Sequence, residues 1–360
     1  MTNRPASGRV GSSGVPDLHR SPADRSGVRV LAPVYGLDGA ADEARSLAAD
    51  GVDGVFTFEG PHDVFVPLAL AAAAADVSVM TNVAIAFPRN AVHLAHAAWD
   101  LHELSQGRCT LGLGAQVRTH VERRFGVAFD RPAERMRDTV EAVRAVFSTW
   151  QTGAPLDHRG PFRTHTLMTP MFSPQPHPSG PPRIAVGGLG PRMCGIAAEV
   201  ADELAVMPVT SERFFNDRTL PAVADGLARR SPTLGEFGIL PELIVACGRD
   251  APEQAVADAG CRALLGFYAS TPAYRPVLEH EGFGGIQPAA QQMVREARWG
   301  ELASLVPDEL LDLVAVRGTP SEVASTLERR YGAHAVRVCI YTPYEPAMGL
   351  MGELVTAISS

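Results

Sequence analysis

Short apolar runs and helix-forming runs alternate along most of this chain. The apolar runs are residues 28–32 (VRVLA), 55–58 (VFTF), 78–87 (SVMTNVAIAF), 109–114 (CTLGLG), 183–187 (RIAVG), 203–207 (ELAVM), 239–247 and 335–341 (AVRVCIY). They are nearly continuous rather than alternating, as expected of parallel strands covered on both faces. Between them, residues 40–49, 64–76, 90–105, 134–150, 191–201, 220–230, 251–267, 319–331 and 347–358 read as helices, many of them rich in Ala, Leu, Glu and Arg, which are strong helix formers. Asn90 stands where a helix cap belongs, Pro132 and Pro252 suit first turns, and Thr319-Pro320-Ser321-Glu322 opens a further helix. Eight β–α units in 360 residues predict an α/β protein, a closed (β/α)8 TIM barrel with rim insertions, over an open sheet. Two long irregular stretches, 152–182 and 268–287, are expected at the C-terminal rim, where barrel active sites lie. Residues 2–26 are rich in Ser, Gly, Arg and Pro. The division expected is therefore a disordered arm over 1–27 and one barrel domain over 28–360.

Composition narrows the function classes. With 46% hydrophobic and 20% charged residues, the chain has the make-up of a soluble globular protein. A net charge of −8 argues against a nucleic-acid-binding surface. All 32 basic residues are arginine. Any phosphate or carboxylate site must therefore use arginine, hydroxyls or backbone N–H groups. The five cysteines are scattered, with no C-x-x-C pair, and read as buried free thiols in a reducing cytoplasm. The N-terminus lacks the apolar core of a secretory signal, and the alanine-rich run at 67–75 is too short to span a bilayer. The expectation is a cytoplasmic protein acting on a small-molecule substrate, with no membrane or nucleic-acid partner. No H-E-x-x-H or EF-hand pattern occurs, His93 and His96 read as an ordinary helix pair, and no metal is expected.

Candidate chemistry is sought where barrel enzymes place it, just after the strands. The second strand is followed by Glu59-Gly60-Pro61-His62-Asp63. Glu59 and His62 there can polarise a substrate or relay a proton; alternatively, Asp63 caps the next helix and His62 is simply exposed. Asn82 is polar within the apolar third run, either as an edge position or as a bulge presenting backbone to a ligand. Gly112 and Gly114 end the fourth strand and allow a planar ring close to the backbone; His120, Arg123 and Arg124 follow. After the fifth strand, Gly187-Gly188-Leu189-Gly190-Pro191-Arg192 leads straight into a helix. A helix start with free N–H groups suits a phosphate. The other reading is a tight strand–helix turn. The loop lacks the Gly-Lys-Ser/Thr of a Walker A motif.

With these residues in hand, the chain resembles the bacterial luciferase-like monooxygenase superfamily, and within it the actinobacterial branch that uses the deazaflavin coenzyme F420. The resemblance covers residues 28–358. It is carried by FTFEGPHDVFVPLALAAAA, TNVAIAFPRNAVHLAHAAWDLHELSQGRCTLGLGAQVRTHVERRFG, PPRIAVGGLGPRMCGIAAEVADELAV, YASTPAYRPVLEHEGF and VRGTPSEVASTL. It implies a barrel with an insertion before the fifth strand. It also implies a non-prolyl cis peptide between Asn82 and Val83, behind the middle of the cofactor ring. Gly114 is then expected near the ring, and Gly187, Gly188, Leu189 and Gly190 around the phosphate, with Arg192, Arg213 and Arg218 available for the cofactor's acidic tail. One departure bears on substrate. The glucose-6-phosphate dehydrogenases of this branch carry a carboxylate after the strand-four glycines and an Asp-His pair after strand two. Here Ala115 and Gln116 fill the first place, and Glu59 with a displaced His62 the second, which speaks against sugar-phosphate oxidation. The expected activity is an F420-dependent hydride transfer to or from a C=C, C=N or C=O bond of a small organic or natural-product substrate. His62 is the first choice for the proton, with Glu59 or His120 in reserve. The alternatives are an FMN-dependent two-component monooxygenase of the same fold and, in another class, a non-catalytic flavin-binding protein. A homodimer is expected by analogy.

Overall fold

A computed structural model describes residues 27–360; of the arm expected over 1–27, all but Gly27 lies outside them. Eight parallel strands form the centre: β1 (Arg29–Pro33), β2 (Gly54–Thr57), β3 (Ser78–Thr81), β4 (Cys109–Gly114), β5 (Arg183–Gly188), β6 (Glu203–Val206), β7 (Gly238–Cys247) and β8 (Arg337–Tyr341). Each pairs with the next, and β8 pairs back onto β1, with Leu31 opposite Cys339. The sheet is thus a closed TIM barrel, as the eight apolar runs predicted. Leu31, Phe56, Met80, Ala185, Ala205, Leu240, Cys339 and Tyr341 fill its interior as one cluster. The outward residues pack under the helices, around Trp99, Phe147 and Trp150. Asn90 caps its helix as expected, its side chain accepting from the Val92 N–H at 2.8 Å. All five cysteines are buried free thiols. No helix of the described residues is long and apolar enough to cross a membrane.

Three details position the site. First, the run 78–87 is not one strand. β3 stops at Thr81, the Asn82–Val83 peptide is cis, and Ala84–Ile85 then pairs with Leu113 and Gly114 of β4. The Thr81 hydroxyl takes over the ladder at the break: it donates to the Gly112 carbonyl and accepts from the Gly112 N–H, both at 2.8 Å. The cis bond stands where the family resemblance implied it; hydrophobic patterning alone does not locate it, because both sides of it are buried.

Second, the stretch after residue 152 does not sit at the C-terminal rim as expected. It follows the helix Pro132–Thr152, which runs back from β4 toward the N-terminal face. A connection from helix to strand therefore starts at the opposite end of the barrel. A hairpin of His158–Arg159 with Thr164–His165 climbs back along that helix. There the buried Asp138 lies 3.1 Å from His158 Nε2 and accepts from Arg163 at 3.2 Å. The stretch then descends to the N-terminal mouth, where the rings of His177 and His102 meet at 4.5 Å and His102 Nε2 is 3.1 Å from the Gly180 carbonyl.

Third, the later insertion does lie at the C-terminal rim. The helices Ala251–Ala269, Arg275–His280, Ile286–Arg295 and Asp308–Val314 share a second core around Cys261, Leu265, Leu278 and Leu310. The chain then returns through Val316–Gly318 beside the end of β7.

Candidate active site

A cavity of about 710 Å³ opens over the C-terminal ends of the strands, between the barrel and the rim insertion. Its floor is built at the β3 break. Val83 packs there on two glycines: a Cβ on Gly114 would overlap Val83 Cγ2, and one on Gly187 would stand 3.3 Å from Val83 Cγ1. A side chain at Gly114 would leave this wedge no room, and one at Gly187 would crowd it. Asn82 is buried beside it, its N–H bonded to the Thr57 carbonyl at 2.7 Å and its amide donating to the Tyr341 hydroxyl at 3.2 Å. Asn82 Oδ1 is buried with no hydrogen-bond partner among the described residues.

Glu59 ties the break to the second strand. Its carboxylate accepts from the Ile85 N–H at 3.0 Å and from Arg89 at 2.5 Å, and Arg89 also donates to the Ile85 carbonyl at 3.0 Å. The Glu59 side chain is 8% exposed, so it serves as a clamped partner of a cation and a backbone amide.

The walls are aromatic. Tyr35, Phe58, Phe267, Tyr268, Tyr274 and Tyr344 line the cavity. Tyr35 meets Phe58 edge-on at 6.0 Å, and Tyr268 meets Tyr274 at 5.3 Å. Burial pushes the Tyr35 and Tyr274 phenols up to about 12 and that of Tyr268 higher still, so all three stay neutral. One carboxyl faces this wall from the barrel. Glu242 of β7 is 6% exposed and accepts from the Tyr341 hydroxyl at 3.1 Å. Burial pushes its carboxyl up to about 8, against the opposing pull of the Tyr341 and Asn82 hydrogen bonds.

The luciferase-like monooxygenase family matches residues 18–337. The chain belongs to that family. A luciferase-like protein of this kind is an oxidoreductase. It is 41% identical to an uncharacterized protein of Mycobacterium tuberculosis over 292 residues, covering 81% of this chain and 86% of that one. It is 24% identical to 5,10-methylenetetrahydromethanopterin reductase of Archaeoglobus fulgidus over 256 residues, covering 70% and 73% of the two chains. Among solved structures it is similar in fold to the coenzyme F420-dependent tetrahydromethanopterin reductase of Methanopyrus kandleri. That match has a TM-score of 0.77 at 17% identity, over 92% of this chain and 98% of that one.

In this luciferase-like barrel, Glu59, Asn82, Val83 and His120 line this cavity, with Gly114 and Gly187 directly behind Val83. His120 is exposed on the short helix Arg118–Arg123. Gly188 is buried at the end of β5, where a Cβ would stand 3.0 Å from Leu204 and 3.3 Å from Cys194. Leu189 leans on the rim core. Gly190 caps the helix Pro191–Val200, with open space where its Cβ would be. Of the expected residues, Gly188, Leu189, Gly190, His62 and Arg192 stand apart from the cavity lining. His62 is exposed on the loop after β2. Arg192 is 81% exposed and pairs with Glu134 at 2.6 Å. Of the arginines suggested for an acidic tail, Arg213 pairs with Glu281 at 3.3 Å. Sequence reasoning missed Glu242 and Tyr341. The signal was present for the first: Glu242 interrupts the apolar run at 239–247 just as Asn82 interrupts the third.

Proposed function

We propose that this protein is a coenzyme F420-dependent oxidoreductase that transfers a hydride between the deazaflavin and a small organic substrate with an apolar body. The observation that carries this reading is the Val83 wedge seated on Gly114 and Gly187, with an open aromatic cavity above it. Such a floor backs one face of a planar ring and leaves the other face to a substrate. The residues present fit the cofactor. The unpartnered Asn82 Oδ1 awaits a donor beside the floor, and the Gly188–Gly190 turn leads into the helix Pro191–Val200, whose positive dipole end suits a phosphate. When bound, the deazaflavin supplies a carbon that gives or takes a hydride. The chain's own share is to seat the ring on Val83 and Asn82, to hold the phosphate at Gly188, Leu189 and Gly190, and to exclude water with its tyrosines. For an acidic tail, which FMN lacks, we assign the exposed Arg213 and Arg218 that follow β6. The Archaeoglobus relative is named a reductase and the Methanopyrus protein of the same fold is named as coenzyme F420 dependent, which supports the same reading.

Titration of purified apo-protein with F420 and with FMN, followed by absorbance and fluorescence, tests this. Micromolar or tighter F420 binding with weaker FMN binding is expected. Gly190→Val should weaken F420 binding and leave the melting temperature unchanged, since the Cβ position is open and the backbone is extended (φ −70°). Tighter FMN binding with oxygen consumption on reduction would make the protein a two-component monooxygenase instead. Binding without any turnover would point to a non-catalytic flavin carrier.

A further inference from the structure

We propose that Glu242 is the acid this cavity presents to its substrate, and that the substrate is a neutral, apolar carbonyl or imine compound whose oxygen or nitrogen takes the Glu242 proton. The inference rests on the F420 reading above. Three observations carry it. Glu242 is the carboxyl that faces the aromatic walls from within the barrel: it lines the cavity yet is 6% exposed. Among the described residues, Arg124 and His120 also line the cavity, but no cation is among the groups that act on the Glu242 carboxyl. The titratable groups that face it are Cys339 and Tyr341 of β8 and Tyr268 and Tyr274 of the rim, all neutral at pH 7. Below Cys339, the buried Arg337 is already bound to Glu203. The other lining carboxylate, Glu59, is committed to Arg89 and the Ile85 N–H.

The third observation is a relay of fixed geometry. Asn82 donates to the Tyr341 hydroxyl at 3.2 Å, and that hydroxyl donates to Glu242 Oε2 at 3.1 Å. One carboxyl oxygen is therefore held by Tyr341, which orients the other toward the cavity. The Asn82 end of this chain is the floor on which the ring is seated, so acid and floor are coupled through a single hydroxyl. A neutral acid in an apolar site donates a hydrogen bond to a carbonyl and stabilises the charge that develops there.

The step balances as follows. The substrate carbon gains a hydride from reduced deazaflavin, and the π bond to its oxygen or nitrogen breaks. That atom forms a new bond to the Glu242 proton as the carboxyl O–H breaks. The substrate is reduced by two electrons and the deazaflavin oxidised by the same two. The Glu242 carboxylate regains a proton from water when the product leaves. Tyr341 acts as a positioning residue.

Dicyclohexylcarbodiimide is a suitable probe, because it is apolar and reacts with protonated carboxyls. The full chain is treated from well below to well above pH 8 and mapped by mass spectrometry, with F420 binding measured on the same samples. Label is expected on Glu242 in the acidic range and should fade around pH 8. Glu242→Gln should lose label at that position and keep F420 affinity within a few-fold. Tyr341→Phe should move the fading to higher pH, because the lost hydroxyl had stabilised the charged form. With reduced F420 and a panel of apolar aldehydes, ketones and imines, Glu242→Gln should slow turnover by about 10²–10⁴-fold. An unlabelled Glu242 in folded protein, labelling indifferent to pH, or wild-type turnover by Glu242→Gln would each overturn the proposal. Normal labelling in a protein that fails to bind F420 would overturn the F420 reading and leave Glu242 assigned as the cavity's acid.

Discussion

The wedge of Val83 on Gly114 makes the sharpest demand on sequence in this site. Gly114→Ala places a methyl where Val83 Cγ2 already sits. Neither neighbour can give way easily. Val83 is β-branched, with a stiff side chain, and its backbone is held on one side by Asn82 to Thr57 and on the other by Ile85 to Glu59. Overpacking of this kind costs about 1–3 kcal/mol. Val83→Ala alone removes two methyl groups from a half-buried side chain, a loss of about 1 kcal/mol at roughly 0.8 kcal/mol per fully buried carbon. It also vacates the space that Gly114→Ala would fill. The double variant should therefore be nearly as stable as Val83→Ala, with a coupling of about 1–2 kcal/mol between the two changes. Urea denaturation of the four proteins measures this, and F420 fluorescence titration reports the floor: Gly114→Ala should bind more weakly, with partial recovery in the double variant. Additive losses, or a Gly114→Ala protein as stable as wild type, would refute the packing argument. Gly112→Ala is the control that no partner can rescue, because its Cβ would overlap the Thr81 backbone carbonyl.

Three further outcomes are expected. Glu59→Ala strips an acceptor from the Ile85 N–H and leaves Arg89 short of its buried partner, so it should cost about 2–4 kcal/mol in denaturant unfolding; Glu59→Gln, which keeps an acceptor, should cost roughly half, and equal costs would deny the clamp. His62→Ala should leave turnover within a few-fold, since His62 is exposed and outside the cavity lining; a large loss of kcat would return it to the mechanism. His102 has its pKa lowered to about 4 from 6.5, chiefly by burial and then by His177. The unfolded chain therefore binds this proton first, so stability should fall as pH drops from about 6.5 toward 4. His102→Gln should flatten that limb of a melting-temperature profile, and an unchanged slope would rule His102 out as its source.

Much of the barrel was legible in the chain. Apolar runs buried on both faces, helix formers between them and caps such as Asn90 are local properties, so β4 was read to the residue and the helix Ala40–Ala49 likewise. The glycines of β4 and β5 were legible too, because close approach needs a missing side chain whatever lies opposite. Tertiary structure decided the rest. Asn82 marked the break within its apolar run and the family resemblance placed a cis peptide there; tertiary structure added the bond from the Thr81 hydroxyl to Gly112, 31 residues away, that carries the ladder across it. The direction of the stretch after residue 152 follows from which barrel face the preceding helix reaches, which composition does not record. The chain of bonds from Asn82 through Tyr341 to Glu242 spans separations of 259 and 99 residues. It exists only because closing the sheet brings β8 beside both β1 and β7. A periodicity of a few residues carries no information over such distances. The sequence marks Asn82 and Glu242 as polar groups in apolar strands, and only barrel closure turns them into one site.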